Sequence, residues 1–407
     1  MGMIKRFSPA RPVRTLNSGS RCPLMCSLRI LIANTTLASL TGTETYARDL
    51  ALGLLRKGHT PIVYSPELGE IARELRDATV PVVNDLNAIG STPDVIHGNH
   101  NTELMAALLH FPTVPAVFFC HSWTEWSSSP PSHPRILMYV AVDDTCRDRL
   151  LYEHSIPEER LRVILNATDL ERFKPRGPLP DRPQRALVFS NGANEHTHLG
   201  AVREACRQAG IELDVLGAGV KAATSHPELV LGKYDLVFAK ARCALESLAV
   251  GAAVILCDFH GSGPLVTTSE LENLRRLNFG IRTLGEKLDP EVFLREIARY
   301  NAQDATEVSR RIRATAALDA PLDELLALYR EVIARHQRGP APCPAAEGRA
   351  AAAYLQWLTM IGKKQSAQHQ EMLANSLSLR LRNRIARFPL LEKPLKLIAR
   401  TVRRKGF

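Results

Sequence analysis

Between Asp235 and Asp258 the chain gathers residue types that suit a charged, hydroxyl-rich ligand. An apolar run, expected as a strand, ends at Phe238, and a short loop with Lys240 and Arg242 follows. A helix then carries one carboxylate, Glu246, in its first turns and stops at Gly251, and a second apolar run covers Ala252 to Cys257. In open α/β sheets, ligands bind beyond the carboxyl ends of strands and at helix N-termini. A carboxylate there accepts hydrogen bonds from sugar hydroxyls, and the two cations can meet phosphate. Together these residues fit a nucleotide-sugar. Each also has a structural alternative: Glu246 stabilising the first turn of its own helix, Lys240 and Arg242 as solvated loop charge.

Other candidates lie at comparable places. His121 follows the apolar run Val117–Cys120, where a neutral imidazole could donate to a sugar hydroxyl or a phosphate. The alternative is a partly buried, hydrogen-bonded histidine; His97 and His100 stand in a similar position. Gly42 lets the backbone near Thr41 and Thr43 approach a ligand closely. Gly263, Pro264, Leu265 and Val266, preceded by Gly261, follow the Ala252–Cys257 run and could present backbone amides to a phosphate. His196 and His198 are close together, but no carboxylate or cysteine spacing completes a metal site around them. No Asp-x-Asp triplet occurs, and no metal or other cofactor is expected.

The elements that must position these residues are legible as a repeating pattern. Leu28–Ala33 is a continuously apolar run of the kind found in buried parallel strands. Thr41 and Glu44 have capping-box spacing and open a helix. Ala47, Leu50, Ala51, Leu54 and Leu55 form its apolar face, and Gly58 ends it. Further strand-like runs alternate with helical segments, which predicts a mostly parallel, doubly wound sheet. The Pro-rich stretch 175–184 reads as a linker, and a second α/β series follows it. The expected organisation is a leader (1–27), two Rossmann-like domains (28–174 and 185–338), and a linker with a basic amphipathic tail (339–407).

Length and composition agree with this division. A chain of 407 residues is too long for one core, and 45% hydrophobic with 23% charged residues is ordinary for a globular protein. Eight scattered cysteines without a C-x-x-C pair read as reduced thiols. No apolar run approaches the ~20 residues that span a bilayer. Residues 1–27 are basic, lack an apolar core of signal-peptide type and read as a disordered leader; Met25 is a second candidate start. Of the net charge of +10, most sits at the end: Leu379 to Phe407 holds ten Lys or Arg against the single acid Glu392. Basic and apolar residues interleave there as in an interfacial segment lying on an anionic membrane. Nucleic acid is a poorer partner, because no recognisable nucleic-acid module precedes the tail.

Several segments in combination resemble the retaining family-4 glycosyltransferases (glycosyl transferases group 1). They are the turn and helix from Thr41 to His59, the strand end Pro93–His97, His121, the segment Ile156–Asn166 followed by Asp169 and Phe173, the turn Leu216–Gly219, and Ala244–Val254. The resemblance covers roughly residues 28–336 and implies a GT-B fold, with two doubly wound Rossmann-like domains facing a cleft. It implies a nucleotide-sugar donor, a glycan or lipid-linked acceptor, retention of configuration and no metal in the chemistry. It places Glu246 on the ribose hydroxyls and His121 at the mouth of its strand, makes both catalytic candidates, and implies no covalent nucleophile. A cytoplasmic enzyme at the inner membrane face is the expectation. Three departures stand out: the family's first glutamate falls on Phe238, no Arg or Lys follows the strand ending at Phe189, and Asn166-Ala167-Thr168-Asp169 replaces Asn-Gly-Val-Asp. Lys240 and Arg242 could replace the missing cations. A non-catalytic GT-B binding protein and a GT-B sugar-nucleotide epimerase are the alternatives.

Overall fold

The structure is a computed structural model that describes residues 27–375. The basic leader up to residue 26 and the interfacial tail from Leu377 lie outside the described residues. The first half runs β1 (Arg29–Ala33), β2 (Thr36–Leu37), α1 (Gly42–Arg56), β3 (Thr60–Tyr64), β4 (Glu67–Leu68), α2 (Glu70–Asp77), β5 (Val82–Val83), β6 (Val95–Gly98), α3 (Asn101–His110), β7 (Ala116–Cys120), β8 (Ile136–Ala141), α4 (Asp144–Asp148) and β9 (Leu161–Val163). Seven of its strands form one parallel sheet in the order β5-β3-β1-β6-β7-β8-β9, and β2 pairs with β4 beside it.

β1 reads as unbroken apolar sequence because both its faces are covered. Ile30 and Ile32 pack with Leu50 and Leu54 of α1, while Leu31 points the other way, to Leu104 and Met105 of α3. The capping box expected at the start of α1 forms, with the Thr41 N–H donating to Glu44 Oε2 at 3.1 Å.

The second half runs β10 (Arg185–Phe189), α5 (Leu199–Ala209), β11 (Glu212–Leu216), β12 (Leu236–Ala239), α6 (Ala241–Val250), β13 (Ala253–Asp258), β14 (Gly261–Leu265), α7 (Leu271–Arg276), α8 (Pro290–Ala298) and α9 (Ala302–Thr315). Its sheet has the order β11-β10-β12-β13-β14, parallel except for the β13–β14 pair. Asp235 fastens the Pro-rich connection to this sheet: its carboxylate accepts from Gln184 N at 2.9 Å, Arg185 N at 3.1 Å and Arg176 Nη2 at 2.8 Å.

Two helices end the described chain. α10 (Asp319–Arg338) was expected with the second half by its place in sequence. It lays Leu322, Leu325, Leu326, Tyr329 and Val332 onto the core shared by β1 and α1 of the first half. Those residues recur at helical spacing, and the stripe needs an apolar partner wherever one is available. α11 (Pro344–Asn375) begins inside the stretch read as a linker and packs Tyr354, Trp357 and Leu358 on the opposite face of the first sheet.

Each sheet has a point where strand order reverses, between β1 and β6 in the first and between β10 and β12 in the second. Crevices open at such points beyond the carboxyl ends of strands. The loops from β1 to α1 and from β12 to α6 both start there.

Candidate functional site

The two switch points face each other across a cleft. A cavity of about 490 Å³ is lined by Gly42 and Thr43 at the start of α1, His100 after β6, His121 after β7, and Ala241 and Arg242 at the start of α6. A narrower recess adjoins it, walled by Gly42, Arg48, Arg172, Gly217, Cys243 and Glu246. The sequence-selected residues Gly42, Thr43, His121, Arg242 and Glu246 therefore converge. Apart from its chain neighbours and the backbone of its own helix, nothing stands within 4 Å of where a Cβ on Gly42 would lie, so the space beside it opens to the cleft.

Glu246 sits in the second turn of α6 and is 5% exposed. Arg242, one turn earlier, donates from Nε to Glu246 Oε1 at 2.7 Å, and its Nη2 pairs with Asp49 of α1. Arg48 closes the network on Asp49 at 2.9 Å. Burial drives the Glu246 carboxyl above the usual carboxylate range, with Arg242 opposing it. Burial would also raise Asp49, but Arg242 and Arg48 outweigh it and hold the group below its ordinary value. Asp49 and Arg48 were not anticipated from sequence. The available signal was their place off the apolar stripe of a helix aimed at the cleft.

Lys240 is at the N-cap of α6 and pairs with Asp258 at the end of β13, 5.9 Å from the Phe259 ring centroid. Unlike its neighbours Ala241 and Arg242, it does not line either cavity. The segment Gly263–Val266 differs from expectation. Gly263–Leu265 belong to edge strand β14, where the Leu265 N–H donates to Glu296 Oε2 at 2.9 Å. Val266 N–H donates to the Val254 carbonyl at 2.8 Å, so the amides of both residues are engaged inside the fold. Glu296 of α8 and the Val254 carbonyl of β13 take these two amides, and Pro264 has no N–H to offer. Phe238, where the family's first glutamate would fall, is buried and meets Phe293 edge-to-face at 5.7 Å.

The helix start itself is open. Among the described residues, the backbone N–H groups of Arg242 and Cys243 have no acceptor, while Ala241 N–H donates to the Phe279 carbonyl at 2.8 Å. Such orphan donors, with the positive end of the helix dipole, suit an anion.

Two histidines, His100 and His121, line the wall opposite, and a third, His97, lies behind them. His97 is fully buried, with Nδ1 2.6 Å from the Tyr329 hydroxyl and Nε2 3.0 Å from Asn99 Oδ1. His121 places Nε2 2.9 Å from the same Asn99 oxygen. His100 Nδ1 accepts from the Thr35 N–H at 3.2 Å. Burial pushes His97 down to about 3 and His100 down to about 4, and lowers His121 well below the ordinary imidazole value, so all three are neutral. His97 faces the core, not the cleft. Asn99 was also not anticipated; a polar residue directly after a buried apolar strand was its only mark.

Two doubly wound sheets facing a cleft, with candidate residues at both switch points, define a GT-B fold. Residues 40–172, which carry Gly42, Asp49 and His121, match the model of Glycosyltransferase Family 4. Solved structures show the same fold. A glycosyltransferase from Rickettsia africae superposes with a TM-score of 0.55 at 16% identity, covering 75% of this chain and 99% of that one. HepE from Anabaena, in complex with UDP and glucose, gives 0.55 at 13% identity over 75% and 99%. The catalytic domain of starch synthase IV from Arabidopsis thaliana, bound to ADP and acarbose, gives 0.52 at 11% over 76% and 100%. No curated protein matches the chain in sequence.

Proposed function

We propose that this chain transfers a sugar from a nucleotide-sugar donor, held in the cleft, to a hydroxyl of a glycan or lipid-linked acceptor. The observation that carries the reading is the uncapped start of α6 at the β10/β12 switch point, with Glu246 one turn inside it and Gly42 across the gap. The diphosphate would lie against the Arg242 and Cys243 amides, where negative charge develops on the leaving oxygen. Glu246 would accept from the ribose hydroxyls; its Oε2 takes no hydrogen bond among the described residues. HepE is described in complex with UDP and with UDP-glucose, which supports a donor of this class.

The finer reading follows the resemblance: retention, no metal in the chemistry, and work at the cytoplasmic face of a membrane reached through the basic tail. No helix among the described residues is long and apolar enough to cross a membrane.

A specific observation favours a second reading, a non-catalytic GT-B binding protein. The cations that line the recess are already paired: Arg172 with Glu228 at 2.9 Å, Arg48 with Asp49, and Arg242 with Asp49 and Glu246. Calorimetric titration with UDP, GDP, ADP, CMP and dTDP, repeated on Glu246→Ala, separates the cases. Binding of one nucleotide, lost in the variant, with turnover of the matching sugar donor, supports the transferase. Binding without turnover or hydrolysis of any donor leaves the second reading, and no nucleotide binding by folded protein ends the transferase reading and leaves a non-catalytic, glycan-binding one.

A further inference from the structure

We propose that Asn99 is a positioning residue that fixes the tautomer of His121 and so makes its Nδ1 a hydrogen-bond acceptor for a sugar hydroxyl in the cleft. This role in sugar binding rests on the transferase reading above; the tautomer itself does not.

The chain of logic starts at a main-chain carbonyl. The Thr36 C=O can only accept, and Asn34 Nδ2 donates to it at 2.7 Å. Asn34 Oδ1 must then face Asn99, whose Nδ2 donates to it at 3.1 Å. That turns Asn99 Oδ1 toward the two imidazoles, and an amide oxygen only accepts. His97 and His121 therefore both carry their proton on Nε2. Flipping either amide would set two oxygens or two NH₂ groups against each other, so the assignment does not depend on seeing hydrogens.

A neutral imidazole has one donor and one acceptor. In His97 the acceptor Nδ1 takes the Tyr329 hydroxyl proton. In His121 the acceptor Nδ1 has no partner among the described residues, and it is not one of the buried unpaired atoms, so it is open to the cavity His121 lines. His100 is the mirror case. Its Nδ1 accepts from Thr35 N–H, so its Nε2 carries the proton, and that atom too is open to the same cavity.

The wall thus offers one acceptor, His121 Nδ1, and one donor, His100 Nε2–H. A hydroxyl can donate to the first and accept from the second. A phosphate oxygen has no proton to give and is not served by His121. The sequence left His121 open to either ligand as a donor; the Asn99 contact removes donation. Burial supports this by holding the ring neutral.

The test is ¹⁵N NMR of selectively histidine-labelled full-length protein, free of ligand, with His121 assigned by His121→Gln. The expected spectrum has His121 protonated at Nε2 and bare at Nδ1. In Asn99→Ala, the His121 signals move to a mixture of tautomers while His100 keeps its Nε2 proton. Asn99→Asp, which still accepts but adds a charge, keeps the Nε2 proton and shifts the His121 titration upward. A proton on Nδ1 in the wild type, or an unchanged His121 signal in folded Asn99→Ala, overturns the proposal. Because no nucleotide is present, a failure of the donor reading leaves this result intact, and the reverse also holds.

Discussion

Arg242 of α6 is clamped between Glu246, one turn along its own helix, and Asp49 of α1, 193 residues earlier in the chain. The guanidinium is one of the links between the two halves, and its two carboxylates differ. Asp49 is held ionised by two arginines, whereas burial presses Glu246 toward its protonated form. Asp49→Asn should therefore cost about 3 kcal/mol, the loss typical when one partner of a buried pair is removed. Urea denaturation at pH 7 measures it. The group has a folded pKa below its unfolded value, so its contribution is present above about pH 4 and fades as pH falls through the lowered value. The wild-type advantage over the variant should shrink along that path.

Glu246→Gln should behave oppositely. A carboxylate whose folded pKa is raised binds its proton more tightly in the folded state, so its ionisation opposes folding as pH rises past the unfolded value. The amide removes that opposition and keeps an acceptor for Arg242. Stability at pH 7 should fall by less than in Asp49→Asn. Nucleotide affinity should still drop about tenfold, the scale of one charged hydrogen bond to a ribose hydroxyl. A variant as unstable as Asp49→Asn would show that Glu246 is chiefly a structural partner of Arg242.

Gly217 closes the recess at the end of β11, with its backbone against the Ser190 carbonyl, where a Cβ would collide with main-chain atoms. Asn191, next in that loop, reaches across the cleft and donates to the Leu40 carbonyl at 2.9 Å. Gly217→Ala should push the β10–α5 loop away from the first half, because the obstacle is backbone and cannot rotate aside. Nucleotide affinity should fall at least tenfold with a modest fall in melting temperature. Gly210→Ala, at a left-handed helix end with open space around it, should lower melting temperature and leave affinity alone.

What could be read in sequence was what local pattern encodes. The apolar runs from Leu28 to Ala33 and from Val254 to Cys257, the Thr41–Glu44 capping box and the Gly251 helix stop all form as the pattern dictates. The convergence of Gly42, His121, Arg242 and Glu246 was legible because each follows a strand end, and strand ends share one side of a parallel sheet. Pairings set by tertiary geometry were not legible. Nothing local to Asp49 announces Arg242, and nothing near Gly263 tells a loop from a strand returning along β13. The amphipathic stripe of α10 was visible as a helix, but a stripe does not name the sheet that will cover it.

Tyr329 tests that last point. It stands on α10 with no measurable exposure, and its hydroxyl donates to His97 Nδ1 on the first sheet. Asn99 already holds the His97 proton on Nε2, so Nδ1 has no other way to be satisfied. Tyr329→Phe keeps the ring and its packing but strands a buried acceptor, which costs about 1–3 kcal/mol. The loss should appear as a lower urea midpoint with an unchanged slope, since the same surface is buried. His97→Phe removes the acceptor itself. Combined with Tyr329→Phe it should cost less than the sum of the two single changes, because the second has nothing left to strand. Strict additivity would mean that α10 docks through its leucines alone and that the hydroxyl contact carries no energy.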